Sequence, residues 1–73
     1  PYFTTNFIPL ESNTEISKSG ETFTVYMCIE GSFEIEYDNF KHTYIKGDTV
    51  LIPAAIRTFV LNGKASILEI YIS

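Results

Sequence analysis

A chain of 73 residues with a formal net charge of −4 is long enough for one small domain and too short for two. Hydrophobic residues make up 45% of the sequence and aromatic residues 15%, which excludes intrinsic disorder. The five basic residues are dispersed, which argues against a nucleic-acid partner, and no uncharged apolar stretch reaches the roughly 18 residues that a membrane helix needs. One globular domain over residues 1–73 is therefore expected.

Strand-like segments follow one another along this domain. Apolar residues alternate at period two, and Gly, Asn, Asp or Pro interrupts them about every eight to twelve residues, which is typical of a sandwich or barrel. The pattern predicts an all-β fold of about eight short antiparallel strands. They are Tyr2–Leu10, Asn13–Ile16, Thr22–Glu30, Phe33–Tyr37, Phe40–Ile45, Thr49–Pro53, Arg57–Leu61 and Lys64–Ile72.

Three dipeptides predict tight turns between these strands. Gly31-Ser32 suits a type II′ turn, Asp38-Asn39 tolerates positive φ, and Asn62-Gly63 is the strongest two-residue hairpin signal. A two-residue loop at Asp38-Asn39 fixes the register of the strands beside it. The expected pairs are Tyr37 with Phe40, Ile35 with His42 and Phe33 with Tyr44 on an aromatic face, and Glu36 with Lys41 and Glu34 with Thr43 on a charged, solvated face.

The strand Thr22–Glu30 is apolar on both faces. A hairpin at Gly31-Ser32 places Tyr26 and Cys28 on the aromatic face, beside Tyr37 and Ile35, and sends the alternate residues outward. Because a strand with two apolar faces usually lies between two layers, we expect the N-terminal segment Tyr2–Leu10, a second copy of the chain or another domain to cover the outward residues. These are Phe23, Val25, Met27 and Ile29.

Cys28 is the only cysteine, so it cannot form an internal disulfide. Its apolar neighbours favour a thiol packed in the core over a reactive nucleophile, which would need an electropositive setting. A reduced, buried thiol suits a cytoplasmic protein.

Two stretches carry a resemblance to a known family. The opening Pro1–Asn6 is similar to the strand that begins the last domain of type I mannose-6-phosphate isomerases, and Cys28–Gly31 with Lys46–Ala54 resembles the C-x-E-G and KGD-x-x-LIPA pattern of that domain. The spacing of Gly47 and Pro53 also matches the second motif of cupins. The resemblance implies a small cupin-type jelly-roll barrel (a double-stranded β-helix). It also implies a C-terminal fragment of a longer isomerase, as does a start without Met.

The resemblance also implies where a cupin would hold its metal. Those positions fall on Lys18, Gly20, Thr24 and Thr58, which include no His and no carboxylate, and Ala55 stands where the second motif has Gly. We therefore expect no metal, no cofactor and no catalytic residue in this chain. In the family, zinc and the groups that move a proton between C1 and C2 of the sugar phosphate belong to an earlier domain. The interconversion of mannose 6-phosphate and fructose 6-phosphate is thus implied for the parent protein only.

His42 and Arg57 remain as weak candidates for ligand contact. We expect His42, opposite Ile35, to be an interior imidazole hydrogen-bonded to a tyrosine or a backbone carbonyl. Arg57 is expected at the mouth of the barrel, where its guanidinium could bind a sugar phosphate, although the sequence indicates no further donor beside it. The tyrosines that could line a sugar pocket are expected to fill the barrel instead, and these are Tyr26, Tyr37 and Tyr44.

Two hypotheses for the function remain open. In the first, the chain is a non-catalytic domain that packs against the catalytic domain of the same polypeptide. In the second, it is a stand-alone, metal-free cupin that binds a sugar or another small metabolite. The expected partners are the catalytic domain or, through the outer face, a second copy, and neither nucleic acid nor a membrane is expected.

Overall fold

Two long strands, β3 (Thr24–Tyr37) and β6 (Thr58–Ile72), form the frame of the computed structural model, which describes residues 2–18 and 22–72. They pair antiparallel from Thr24 opposite Tyr71 to Glu36 opposite Val60. Four shorter strands add to their edges. These are β1 (Phe3–Leu10), β2 (Thr14–Ser17), β4 (Phe40–Ile45) and β5 (Thr49–Ile52).

Hydrogen bonds join the six strands into one sheet, which folds over so that each long strand takes part in two facing halves, called here the first and the second sheet. The first half of β3 and the second half of β6 form the centre of the first sheet, with β5 and β1 at its edges. The second half of β3 and the first half of β6 form the centre of the second sheet, with β4 and β2 at its edges. The inner faces of the two sheets meet, since the ring of Tyr26 in the first sheet packs edge-on against Phe59 in the second at 5.8 Å. The result is a flattened barrel with one core.

Glycines lie where the paired long strands pass from one sheet to the other. Gly31 has φ +78° and Gly63 has φ +125°, backbone conformations that side chains rarely allow. A Cβ at Gly31 would overlap the carbonyl oxygen of Lys64, and a Cβ at Gly63 would lie 2.9 Å from that of Ser32. The turns predicted at Gly31-Ser32 and Asn62-Gly63 are therefore wrong, because each glycine permits a close crossing within a strand that continues. The eight predicted segments all fall on six strands.

A β-bulge at Ile29 shifts the register of β3 between Cys28 and Glu30. The extra residue reverses the alternation, so Tyr26 and Cys28 before it and Ile35 after it all point into the core. The predicted face of Tyr26 and Cys28 is therefore right, but the predicted neighbours are wrong. Tyr26 pairs with Val50 and Glu69 rather than with Tyr37.

The turn predicted at Asp38-Asn39 is confirmed. Asp38 adopts φ +49°, and the β3–β4 register matches every predicted pair from Tyr37 opposite Phe40 to Phe33 opposite Tyr44. On the charged face, the ammonium of Lys41 lies 3.5 Å from the carboxylate of Glu36 and 3.8 Å from that of Glu34.

Among residues 2–18 and 22–72, nine buried hydrophobic residues from both sheets form the core. Cys28 is among them, as predicted, with 1% of its surface exposed. Among the described residues there is no helix long and apolar enough to cross a membrane. The core residues are Leu10, Tyr26, Cys28, Phe33, Ile35, Ile52, Phe59, Leu61 and Ile67.

Candidate functional site

A carboxylate lies on the inner face of the first sheet. Glu69 alternates with Ile67 on β6, and its register opposite Tyr26 turns it toward the interior. The hydroxyl of Tyr26 donates to Oε2 of Glu69 at 2.7 Å, and the side-chain amide of Asn6 donates to Oε1 at 3.2 Å. Both carboxylate oxygens therefore have a donor. Glu69 was not among the predicted site residues, although a single acid in the otherwise apolar run Ile67–Ile72 was a visible signal.

Tyr26 is held as a hydrogen-bond donor. Burial raises the pKa of its hydroxyl far above the ordinary range, and the hydrogen bond to Glu69 and the negative charge of that carboxylate raise it further. A phenol in this setting does not act as a base near neutral pH. The Tyr26–Glu69–Asn6 cluster is thus a fixed polar patch inside the barrel.

The residues at the cupin metal positions do not fit a metal ion. Thr24 is buried, Thr58 points to the exposed side, and Lys18 brings a positive charge, while Gly20 lies outside the described residues. Within residues 2–18 and 22–72, no group of three or more His, Cys, Asp or Glu side chains could hold a metal ion.

Two cationic residues, Lys18 and Arg57, lie in neighbouring positions beyond the β2–β6 ladder. The backbone N–H of Lys18 donates to the carbonyl of Arg57 at 2.8 Å, which extends the β2–β6 ladder by one pair. The Lys18 ammonium donates to the carbonyls of Pro53 at 3.0 Å and Thr22 at 3.3 Å. Burial lowers the pKa of Lys18, and the positive charge of Arg57 lowers it further. Arg57 thus has a second donor, Lys18, beside it. From the sequence, Lys18 had been considered only as one of the four positions where a cupin would hold its metal.

His42 lies opposite Ile35 as predicted, but it is exposed rather than interior. Its strand, β4, is at the edge of the second sheet, so an inward-facing position there is still open to solvent. Its ring packs against the ring of Tyr44 at 4.7 Å and against that of Phe40 at 6.3 Å. No hydrogen bond joins its imidazole to a tyrosine or carbonyl in the described part of the chain.

The two candidate ligand contacts do not converge. β3 lies between β6, which Arg57 precedes, and β4, which carries His42, so about 10 Å of sheet separates their strands. Of the three candidate tyrosines, Tyr26 fills the barrel as expected, whereas Tyr37 and Tyr44 are half-buried. Burial raises the pKa of Tyr44, with smaller contributions from Tyr37 and Asp48.

The KGD motif forms the turn between β4 and β5. The carboxylate of Asp48 accepts from the backbone N–H of Ile45 at 2.9 Å, and Gly47 takes φ +94°. The turn is also joined to β3, because the N–H of Gly47 donates to the carbonyl of Cys28 and the N–H of Cys28 donates to that of Asp48. Burial raises the pKa of the Cys28 thiol, and the charge of Asp48 raises it further. The motif is therefore structural, and Cys28 is a poor nucleophile.

Two facing antiparallel sheets that share bent long strands define the class of this protein as a cupin barrel. A cupin 2 conserved barrel domain protein from Salinispora arenicola matches with a TM-score of 0.80 and 15% identity, covering 97% of this chain and 63% of that one. A cupin-2 domain containing protein from Shewanella frigidimarina matches with a TM-score of 0.78 and 15% identity, covering 96% of this chain and 69% of that one. These two likenesses show the fold.

A family model described as the cupin domain of mannose-6-phosphate isomerase matches residues 1–72, and the chain belongs to this family. The crystal structure of the mannose 6-phosphate isomerase from Bacillus subtilis matches with a TM-score of 0.85 and 25% identity, covering 97% of this chain. The chain spans only 22% of the length of that isomerase. No curated protein matches this chain significantly.

Proposed function

We propose that this chain is a non-catalytic C-terminal cupin domain of a zinc-dependent mannose-6-phosphate isomerase, and that it acts in carbohydrate metabolism in the cytoplasm. The observation that carries the proposal is the family match over residues 1–72. The small share of the Bacillus subtilis isomerase that the chain spans, 22%, supports a role as one part of a larger enzyme.

The chemistry of the described residues supports a non-catalytic role. Moving a proton between adjacent carbons of a sugar phosphate requires a base and an electrophilic group that converge on the substrate. Glu69 has both oxygens engaged by Tyr26 and Asn6, and His42 is on the edge strand of the other sheet. These groups offer no converging pair.

A coupled assay on two proteins tests this proposal. The full product of the encoding reading frame should interconvert mannose 6-phosphate and fructose 6-phosphate and lose activity with a chelator, whereas residues 1–73 alone should show no activity and retain no stoichiometric zinc. Activity of the fragment that disappears in His42→Ala or Arg57→Ala would contradict the proposal. So would a reading frame whose initiator Met lies only a few residues before Pro1.

The cation pair supports a second candidate, a metal-free cupin that binds a phosphorylated sugar. Lys18 and Arg57 occupy neighbouring positions just beyond the β2–β6 ladder, where a phosphate could contact both cations. For this candidate, NMR titration with mannose 6-phosphate should shift the amides of both cationic residues, and Arg57→Gln should weaken binding at least tenfold. Equal shifts with sodium chloride at matched ionic strength would exclude it.

A further inference from the structure

The outer surface of the first sheet is apolar across all four of its strands. Residues that pair directly in the ladder share a face. The residues that alternate with the core-facing ones along each strand therefore point outward together. We name this surface the outer apolar face. It consists of Phe3, Phe7, Val25, Met27, Leu51, Leu68, Ile70 and Ile72.

The outer apolar face is open in this chain. The side chains at its two edges are the most exposed, with Phe3 at 68%, Phe7 at 59% and Leu51 at 54%, while Val25 and Met27 in its centre are half-buried. The segment Tyr2–Leu10 does not cover the centre, because β1 lies in the same sheet with β6 between it and β3. This excludes the segment Tyr2–Leu10 as the cover and leaves a second copy of the chain or another domain.

No charged residue lies among the eight members of this face. The other outward positions of its paired strands include Thr5, Pro9, Thr49 and Ser66, and Glu69 points inward. Glu30, opposite Ser66, lies at the border of the face, where its carboxylate is 3.5 Å from the ammonium of Lys46. Four strands spaced about 4.8 Å apart and about six residues long give a surface of about 400 Å². The largest apolar patch on a monomer is about 300–600 Å² and is often functional, so this face is a candidate interaction site.

We propose that the outer apolar face docks the catalytic domain that precedes this domain in the same polypeptide. The inference rests on the proposed function and adds which surface makes the contact. In the Bacillus subtilis isomerase, the matching region is 22% of the chain, so most of that polypeptide lies outside the cupin domain. A domain joined before residue 1 is tethered next to β1, which is itself an edge of this face.

Area and tethering favour this partner over a second copy. A stable complex of separate chains buries about 800 Å² per partner, roughly twice what this face offers. Contacts between domains of one chain bury about 600–1,500 Å² in total, which a surface of about 400 Å² per side satisfies. A short linker also supplies a millimolar effective concentration, so a smaller contact suffices.

Thiol labelling of the full product of the reading frame tests the proposal. Leu51→Cys introduces a thiol on the outer apolar face, and Thr43→Cys introduces a control thiol on the exposed outer side of the second sheet. Each variant is treated with a maleimide, and the modified site is identified by peptide mass spectrometry. We expect Cys at position 51 to react at least tenfold more slowly than Cys at position 43 in the native protein and at the same rate in urea.

Each outcome has one meaning when isomerase activity is measured on the same samples. Equal labelling rates in an active isomerase overturn the docking inference and leave the proposed function standing. Protection at position 51 that disappears on dilution indicates a second copy and overturns it as well. A reading frame that encodes little more than residues 1–73 would contradict both the docking inference and the proposed function.

Discussion

The two sheets of this barrel distribute polarity in opposite ways. The inner face of the second sheet is apolar, with Phe33, Ile35 and Leu61 fully buried, and its outer face carries Glu36 paired with Lys41. The first sheet has a hydrogen-bonded carboxylate on its inner face and an apolar outer face. The second sheet is thus built for solvent on one side, as is common for antiparallel sheets, and the first is built to be covered on both sides.

Gly31→Ala should break this arrangement at the place where the two sheets join. The new Cβ would overlap the carbonyl oxygen of Lys64 and force a side chain into positive φ, so the loss in free energy of unfolding should be about 3 kcal/mol or more. Gly47→Ala is the matched control, because Gly47 also has positive φ but has nothing within 4 Å of its Cβ position. It should cost about 1 kcal/mol. Urea denaturation measures both, and equal losses would mean that the close crossing is unimportant.

Tyr26→Phe should test the polar contact on the inner face of the first sheet by removing it. The Glu69 carboxylate loses its shorter hydrogen bond, at 2.7 Å, in a partly buried setting, which should cost about 1–2 kcal/mol of unfolding free energy. Tyr37→Phe, on the inner side of the second sheet, should change stability by less than about 0.5 kcal/mol. If the two variants are equally stable in urea, the carboxylate cluster contributes nothing.

Alkaline pH should weaken the inner face of the first sheet through Cys28 and Tyr26, and Tyr44 of the second sheet should add to the loss. The folded-state pKa values of Cys28 and Tyr26 are raised, mainly by burial, so their contribution to stability is complete below their ordinary values of about 8.5 and 10 and declines above them. Unfolding free energy should fall from about pH 8.5 upward and more steeply above about pH 10. Tyr26→Phe should reduce the slope above pH 10 in urea titrations. An unchanged slope in that variant would assign the loss to other groups.

Lys41→Met tests the charged outer face of the second sheet and should have the smallest effect. Its contacts with Glu34 and Glu36 are 3.8 and 3.5 Å long and largely exposed, and exposed pairs contribute less than about 1 kcal/mol. The free energy of unfolding of the wild-type protein should exceed that of the variant by about 0.3 kcal/mol in low salt, and this difference should vanish in 1 M sodium chloride. A salt-independent loss would indicate that the aliphatic stem of Lys41 is what matters.

Local turn chemistry predicted one connection of this fold and mispredicted two others. Asp38-Asn39 forms the expected hairpin because β4 is an edge strand whose partner among the described strands is β3, so the local turn sets their register. At Gly31 and Gly63, the missing side chain leaves room for the backbone of the neighbouring strand rather than permitting a turn. The flanking sequence does not distinguish a glycine in a turn from a glycine at a close strand contact. A glycine between two apolar runs therefore indicates either a hairpin or a bend.

The candidate site was only partly predictable for a related reason. The position of His42 opposite Ile35 followed from the hairpin, but its exposure depends on β4 being an edge strand, which is a property of the whole sheet order. The meeting of Lys18 with Arg57 joins residues far apart in the chain. Such contacts depend on topology, which a strand pattern does not fix.

The bulge at Ile29 has a consequence for how reliably this domain folds. A slip of β3 by one residue would turn Val25 and Met27 inward and Tyr26 and Cys28 outward, and neither exchange buries a charge. Strands that are apolar on both sides are weakly protected against such slippage and against pairing with foreign chains. The first half of β3 is therefore the segment where misfolding and aggregation should begin whenever the outer apolar face is exposed to solvent.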